Sequence, residues 1–202
     1  MIIANPRELL KNITKLRDPY LLSHHNNVTF YSGLIAKYYS PKLVNIVKTA
    51  AYYHDVGKIG IPDAVLFKPG PLNKEEWIQM KLHPVIGSQL IEKGNGDMEL
   101  GDDLSVVVMA VLYHHERMDG SGYPDGLSGE NIPITSRIIA VADAFDAMTT
   151  DRPYRRAFSK ELALQEIIRC AGKHFDPEIV NLFSKILINK NRKVGSVRFL
   201  KV

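Results

Sequence analysis

Apolar residues recur at three- and four-residue spacing through most of this chain, a period typical of amphipathic helices. Between 42 and 54, for example, Leu43, Ile46, Val47 and Ala50 fall on one stripe. The only alternating, strand-like pattern is a weak one near 194–200. The chain is therefore predicted to be all-α, with helices near 6–17, 20–39, 42–54, 74–92, 101–114, 135–150, 159–173 and 176–189.

Three positions carry the signals that begin a helix. Asn73 precedes Lys74-Glu75-Glu76, which is an N-cap residue followed by acidic residues in the first turn. Ser159 precedes a similar turn, and Asp176 is followed by Pro177, a residue favoured at the first helical position. Two segments, 57–72 and 116–134, are rich in glycine and proline and are predicted to be non-helical. They are longer than most helix connections, which favours functional loops.

Composition limits the function classes. The formal charge of +4 suits an anionic ligand but is too small to indicate binding to duplex nucleic acid. The single cysteine, Cys170, allows neither an internal disulfide nor a site with several thiolates. No apolar run is long enough to span a membrane, and the N-terminal residues lack the order of a secretory signal. We expect a cytoplasmic protein that does not associate with the membrane.

Seven histidines stand at 24, 25, 54, 83, 114, 115 and 174. We interpret His25 and His174 as ordinary structural residues. His54-Asp55 closes a predicted helix, His83 precedes Pro84, and His114-His115 opens the second loop.

Adjacent residues on a helix point about 100° apart, so such pairs reach one site best from a helix end. Imidazole and carboxylate ligands suit Fe, Mn or Zn, and a carboxylate between histidine clusters can bridge two cations. Spacing alone leaves a metal site and ordinary structural histidines equally open.

The order of these motifs resembles the HD-GYP domain family. Residues 54–58 (HDVGK) resemble the HD superfamily signature, and 114–126 (HHERMDGSGYPDG) resemble the extended GYP motif. Residues 68–72, 83–87 and 141–155 resemble further segments of the same family, and the resemblance covers about 18–185. It implies a single HD-domain helical bundle at 18–189 with a long GYP loop, an N-terminal helix or connector at 1–17, and a basic C-terminal tail at 190–202.

The resemblance also implies two divalent metal ions, most often Fe or Mn. Its ligand set places one ion on His24, His54, Asp55 and Asp143, and a second on His83, His114, His115 and a bridging Asp55. Asp18-Pro19-Tyr20 before the first histidine selects His24 rather than His25. Some members have a glutamate for a third metal where this chain has Tyr20, so we predict two ions.

Other roles follow from the same resemblance and from side-chain chemistry. Lys58 is predicted to place its ammonium on the phosphate or the leaving oxygen. Arg152 and Arg155 are predicted to contact phosphates or a guanine, since a guanidinium fork suits both. Tyr123 either stacks on a guanine or packs as a buried tyrosine.

Supporting roles fall to residues around the predicted ligands. Asp119 is predicted to order the loop, and Asp146 to orient a ligand histidine or an arginine. Two positions depart from the family pattern: Asn27 replaces an arginine, and Leu21 a threonine. Neither position is a predicted ligand.

Taken together, the sequence predicts a metal-dependent phosphodiesterase that hydrolyses cyclic di-GMP through a hydroxide bridging two metals. Two alternatives remain open: a cyclic-dinucleotide receptor with little turnover, and an HD phosphohydrolase acting on another, hybrid cyclic dinucleotide. The GYP loop is a candidate surface for signalling partner proteins. A helix at 1–17 could pair two copies into a homodimer.

Overall fold

The computed structural model describes residues 19–94, 100–151 and 156–198, with side chains described for most of 22–189. These residues form α-helices and short 3₁₀ turns and contain no strand, so the all-α prediction is confirmed. The α-helices are α1 (Pro19–Tyr39), α2 (Val44–Tyr53), α3 (Asp63–Leu66), α4 (Lys74–Met80), α5 (His83–Lys93), α6 (Leu104–Leu112), α7 (Ile134–Thr149), α8 (Lys160–Arg169) and α9 (Pro177–Arg198). The 3₁₀ turns are Pro41–Leu43, Val56–Gly60, Gly101–Asp103 and Gly129–Asn131.

The predicted helix starts are confirmed. The Asn73 side chain accepts the backbone N–H of Glu76, and the Glu76 carboxylate accepts the N–H of Asn73, each at 2.8 Å. Ser159 accepts the N–H of Leu162 at the start of α8. Asp176 caps α9, which begins at Pro177.

The predicted helix at 74–92 is wrong in one respect, because the structure divides it into α4 and α5. Pro84 has no N–H to donate to the carbonyl of Met80, so the helical ladder is interrupted there. The Nδ1–H of His83 occupies that carbonyl instead, at 2.7 Å. The proline that ends one helix thus also fixes the orientation of a candidate ligand.

Two further predictions need correction. Segment 57–72 is not free of helix, because it contains most of the 3₁₀ turn Val56–Gly60 and the single-turn helix α3 that follows Pro62. The weak strand pattern near 194–200 does not form a strand at 194–198, where the backbone continues α9. The predicted helix at 6–17 lies outside the described residues, as does 199–202.

The core lies where α1 packs against α2, α7 and α9. At its centre Tyr31, Phe145 and Phe183 meet edge to face, with ring centroids 5.0–5.9 Å apart. Phe145 and Phe183 are fully buried. This packing holds α1 and α7 side by side, so that the polar residues His24 and Asp143 meet beyond the apolar centre.

A close contact between two backbones brings α5 up to the end of α2. A Cβ atom on Gly57 would lie 1.9 Å from the carbonyl oxygen of His83 and 2.4 Å from the nitrogen of Gly87. Only glycine allows the 3₁₀ turn to approach α5 this closely. The approach places His83 beside Asp55.

Within the described part of the chain, no helix combines the length and apolar character needed to cross a bilayer. The cytoplasmic location stays a prediction.

Candidate metal centre

Seven polar side chains converge where helix ends meet, at the edge of the core. They are the residues that the sequence predicts as ligands, namely His24 on α1, His54 and Asp55 at the end of α2, His83 at the start of α5, His114 and His115 just after α6, and Asp143 on α7. Asp55 leaves helical geometry, with φ −101° and ψ 7°. That change turns its carboxylate into the same site as the His54 ring, as a helix end allows.

The first group consists of His24, His54 and Asp143, whose potential ligand atoms lie within 4.8 Å of one another. The Nε2 atom of His24 is 3.2 Å from Asp143 Oδ1. The Oδ2 atom of Asp55 lies 3.5 Å from His24 Nε2 and 3.4 Å from His54 Nε2, so it faces this group.

The second group consists of Asp55, His83, His114 and His115, again with ligand atoms within 4.8 Å. The other oxygen of Asp55, Oδ1, is 3.2 Å from His83 Nε2. Asp55 therefore lies between the groups and presents one oxygen to each. It is 2% exposed, which keeps water from satisfying either oxygen.

Hydrogen bonds hold the Nδ1 atoms of four of the histidines. Each has its Nδ1 bonded to an acceptor: a backbone carbonyl for His54, His83 and His114, and the Asp146 carboxylate for His24, at 2.6–2.7 Å. Backbone carbonyls only accept, so in the three histidines bonded to them Nδ1 carries the proton. When these rings are neutral, the lone pair is on Nε2, which is the arrangement that a metal ligand needs.

The Nε2 atoms of His83 and His114 face each other at 3.4 Å. With protons on both Nδ1 atoms, neither Nε2 has a hydrogen to donate to the other. In addition, His54 Nε2 and Asp55 Oδ1 are buried and have no hydrogen-bond partner within the described part of the chain. Buried acceptors without donors are costly. Divalent cations fit this donor set, because a cation in each group would accept electron density from the donor atoms that face it.

Charge in the first group favours a cation. Burial alone would lower the pKa of His24, but the carboxylates of Asp143, Asp146 and Asp55 outweigh burial and raise it well above its ordinary value. Burial would raise the pKa of Asp55, yet Lys58, His54 and His24 hold it well below its usual range. The pKa of Asp143 is likewise lowered, against burial, chiefly by His24. The carboxylates are thus ionised and require positive charge nearby.

The second group is arranged for neutral imidazoles. Burial, reinforced by the neighbouring histidines, lowers the pKa of His114 well below its ordinary value. Burial also lowers the pKa of His115 to about 3. Both rings are therefore neutral near pH 7 and have a lone pair available for a metal.

A hydrogen-bonded chain behind His24 fixes that ring. Asp146 is buried; its Oδ2 bonds His24 Nδ1 at 2.7 Å, and its Oδ1 accepts from Asn27 at 2.8 Å and from Thr150 at 3.1 Å. Asp146 thus contacts a candidate ligand histidine, the kind of residue that it was predicted to orient. The contribution of Asn27 was not predicted, although its position one helical turn after His24 is the available signal.

The GYP loop folds back on the backbone that carries the histidines. A Cβ on Gly122 would lie 2.5 Å from the nitrogen of Arg117 and 2.6 Å from the His115 carbonyl. Glu116 is buried, and its Oε1 accepts the N–H groups of Asp125 and Gly126 at 2.8 and 2.9 Å. Sequence reasoning missed this anchor, since Glu116 carries no spacing signal beyond its place after the histidine pair.

Two residues of the loop with predicted roles, Tyr123 and Asp119, make different contacts. The ring of Tyr123 lies 4.8 Å from that of His115. Burial, and then the charges of Asp55 and Asp143, raise its pKa well above the ordinary value. Asp119 accepts the N–H of Ser121 at 2.9 Å, a contact within the loop that it was predicted to order.

The remaining predicted contacts differ in what can be described. Lys58 donates to Asp55 Oδ2, so its ammonium lies at the centre. Arg152 and Arg155 lie outside the described residues, as does the side chain of Tyr20. His25 is buried against His54, with ring centroids 5.5 Å apart, but belongs to neither group.

The chain is similar to known proteins in sequence and in fold. Residues 8–179 match the family described as HD domain. The chain is 42% identical over 182 residues to a cyclic di-GMP phosphodiesterase of Thermotoga maritima, covering 89% of this chain and 48% of the relative. It is 35% identical over 175 residues to 3'3'-cGAMP-specific phosphodiesterase 2 of Vibrio cholerae, covering 86% of this chain and 33% of the relative.

Among solved structures, the fold is similar to that of Bd1817, an HDG"Y"P protein from Bdellovibrio bacteriovorus. The TM-score is 0.62 at 23% identity, over 81% of this chain and 51% of that chain. The similarity supports the helical fold. The chain spans less than half the length of the two phosphodiesterases that it matches.

Proposed function

The chain belongs to the HD domain family and carries the sequence marks of its HD-GYP branch, and from that premise we propose that it hydrolyses cyclic di-GMP as a metal-dependent phosphodiesterase. One observation carries the proposal: the buried Asp55 carboxylate presents separate oxygens to two groups of imidazole side chains. That arrangement matches the needs of two adjacent divalent cations.

The first ion would be held by His24, His54, Asp55 and Asp143, and the second by Asp55, His83, His114 and His115. Nitrogen and oxygen donors without thiolate suit Fe or Mn. When bound, divalent ions in such a site lower the pKa of water and neutralise charge on a phosphodiester.

The chain's own residues prepare this chemistry. Carbonyl acceptors hold the Nδ1 protons of His54, His83 and His114, so that in the neutral ring Nε2 is the atom with the lone pair. Lys58, 24% exposed and paired with Asp55, is placed where its ammonium can turn to a phosphate oxygen or the leaving oxygen. We propose that Arg152 and Arg155 supply further positive charge to the substrate, as the family resemblance implies.

A hybrid cyclic dinucleotide is the second candidate substrate. The observation that favours it is the 35% identity to a relative named as specific for 3'3'-cGAMP. A receptor without turnover is the weaker alternative, because ligand binding alone gives no reason for two converging groups of metal-type donors around one carboxylate.

The test is hydrolysis by protein purified without oxygen and supplied with Fe²⁺ or Mn²⁺. Cyclic di-GMP, 3'3'-cGAMP and cyclic di-AMP are compared at equal concentration, and linear products are separated by chromatography. We expect the highest kcat/KM on cyclic di-GMP and no product from His54→Ala. Folded, metal-loaded protein that binds cyclic di-GMP but releases no product would refute the phosphodiesterase and favour the receptor.

A further inference from the structure

The C-terminal end of α4 is tied to the second group of candidate ligands at two points. The carbonyl of Met80 accepts the Nδ1–H of His83 at 2.7 Å. The next residue, Lys81, places its Nζ 5.6 Å from the centroid of the Tyr123 ring, which in turn packs on His115. The end of this short helix therefore forms one wall of the site.

Trp77 lies on the same wall. The N–H of Lys81 bonds the carbonyl of Trp77 at 3.0 Å, so helical geometry extends from one residue to the other. Residues four apart on a helix lie on one face. The indole of Trp77 is 48% exposed, and it is the only tryptophan in the sequence. The exposed indole is thus one helical turn from Lys81 and from Met80, the residue that bonds His83.

The wall is held firmly. Glu76, the neighbour of Trp77, closes the capping box with Asn73 and also binds the Lys68 ammonium at 2.6 and 2.8 Å. One carboxylate thereby joins the start of α4 to the loop before it. A platform fixed in this way loses little conformational freedom when a ligand stacks on it.

We propose that Trp77 and Lys81 form a guanine-binding subsite at the rim of the metal centre, an inference that rests on the proposed function. The indole face stacks on the purine, and the Lys81 ammonium donates to the guanine O6 and N7 acceptors. The Tyr123 ring is partly buried against His115 and Lys81, whereas the Trp77 indole is exposed, so the indole is the aromatic surface more open to a base. Adenine presents an amino group where guanine has O6, and Lys81 therefore favours guanine.

Because the chain has one tryptophan, its fluorescence reports on the subsite directly. Chelator-treated protein, which should leave the substrate intact, is titrated with cyclic di-GMP. Stacking on guanine is expected to quench the emission, with a smaller effect in Lys81→Ala. Saturable binding of cyclic di-GMP, measured by calorimetry under the same conditions, with no change in emission would overturn the proposal.

Kinetics provide the second measurement. With metal-loaded protein, Trp77→Ala is expected to raise KM for cyclic di-GMP about tenfold, with little change in kcat, and Trp77→Phe to restore most of the loss. Ile78→Ala is the matched control, since Ile78 is also on α4, is 65% exposed and points about 100° away.

Lys81 is tested through substrate preference. Lys81→Ala is expected to lower the preference for cyclic di-GMP over cyclic di-AMP about fivefold, whereas Lys74→Ala, which removes an exposed cation from the first turn of α4, leaves it unchanged. An unchanged preference in Lys81→Ala would refute the guanine contact.

Failure of the subsite and failure of the proposed function give different results. If the wild type hydrolyses cyclic di-GMP but Trp77→Ala keeps the same KM and no quenching occurs, the subsite is wrong and the function stands. If cyclic di-GMP quenches Trp77 but is not hydrolysed, the subsite stands and the phosphodiesterase is wrong.

Discussion

Asp55 is the residue on which the two candidate metal groups depend. Its Oδ2 faces His24 and His54 and its Oδ1 faces His83, while burial and the Lys58 contact keep the carboxylate in one orientation. A monodentate side chain at this position could serve only one group. The charge of the carboxylate matters as much as its shape, because a histidine that binds a metal does so as a neutral ligand and offsets none of the cation's charge.

Asp55→Asn tests this dependence. The amide keeps one oxygen acceptor and loses the negative charge, so we expect bound metal to fall from two ions per chain to one or none. Hydrolysis should drop more than about 100-fold, because loss of a ligand exceeds the effect of an outer hydrogen bond. Elemental analysis and product chromatography measure the two effects. Asp119→Asn, a change in an exposed loop carboxylate, should match the wild type; two ions retained in Asp55→Asn would contradict the bridging role.

Asp146→Ala tests the orientation of His24. The change removes the acceptor that holds Nδ1 and also leaves Asn27 and Thr150 without their partner. We expect metal affinity, measured by competition with a chelator, to weaken about 10- to 100-fold. Asn27→Ala should weaken affinity less, since Asp146 still bonds His24. Equal affinities in the wild type and Asp146→Ala would show that His24 needs no such support.

At the scale of the elements, helix ends and glycines position the ligands. Gly57 lets the Val56–Gly60 turn touch the start of α5, and this contact sets the position of His83. The break between α4 and α5 at Pro84 then sets the ring orientation of His83. The Gly57 contact and the helix break therefore both position the same candidate ligand, His83.

Gly57→Ala should move or unfold this junction. The added methyl would meet backbone atoms of His83 and Gly87, which have no flexible side chain to yield, so we expect a loss of about 1–3 kcal/mol in the free energy of unfolding. Urea denaturation measures it. Gly70→Ala is the matched control, because a Cβ there would meet no atom within 4 Å. Equal stability of the two variants would contradict the close approach.

The sequence predicts these elements only in part. Apolar periodicity and caps are local signals, so the positions of most helices and the starts of α4, α8 and α9 were predictable. Pro84 signals that a new helix begins near it, but it also disfavours helical geometry at His83. The structure differs at that residue, because His83 is helical and supplies the missing hydrogen bond from its own side chain. The turn at Val56–Gly60 depends on contact with α5, which no local pattern contains.

At the scale of the whole molecule, the residue identities of the site were more predictable than its surroundings. Histidine and aspartate at helix ends, together with the family motifs, identified all seven side chains that the fold brings together. Asn27, Glu116 and the wall formed by Trp77 and Lys81 were missed. The contacts of Asn27 with Asp146 and of Lys81 with Tyr123 join segments distant in sequence, and the bonds of Glu116 depend on how its own loop folds back.

The buried histidines make the stability of the metal-free protein depend on pH. Burial lowers the pKa of His25 and of His115 to about 3, so below about pH 6.5 the unfolded chain takes up protons that the folded chain does not. Each should cost about 2 kcal/mol of folding stability between pH 7.5 and 5. The pKa of His24 is raised, so its effect on stability has the opposite direction. Its contribution to the free energy of unfolding is fully present below pH 6.5 and is lost only as pH rises through the pKa of the folded state.

We therefore expect the free energy of unfolding of chelator-treated protein to fall by a few kcal/mol from pH 7.5 to 5. Urea denaturation at both pH values measures it. His25→Phe should reduce the dependence, because the aromatic replacement has no proton to bind. A stability that rises over this interval would contradict the neutral state of these rings.

The most direct test of the proposed two-metal phosphodiesterase is a titration of metal-free, anaerobically prepared protein with Mn²⁺ or Fe²⁺ while cyclic di-GMP hydrolysis is followed. We expect little product below one ion per chain, a steep rise between one and two, and a plateau at two. Full activity at one ion per chain, or no activity in folded protein that has bound two, would contradict it.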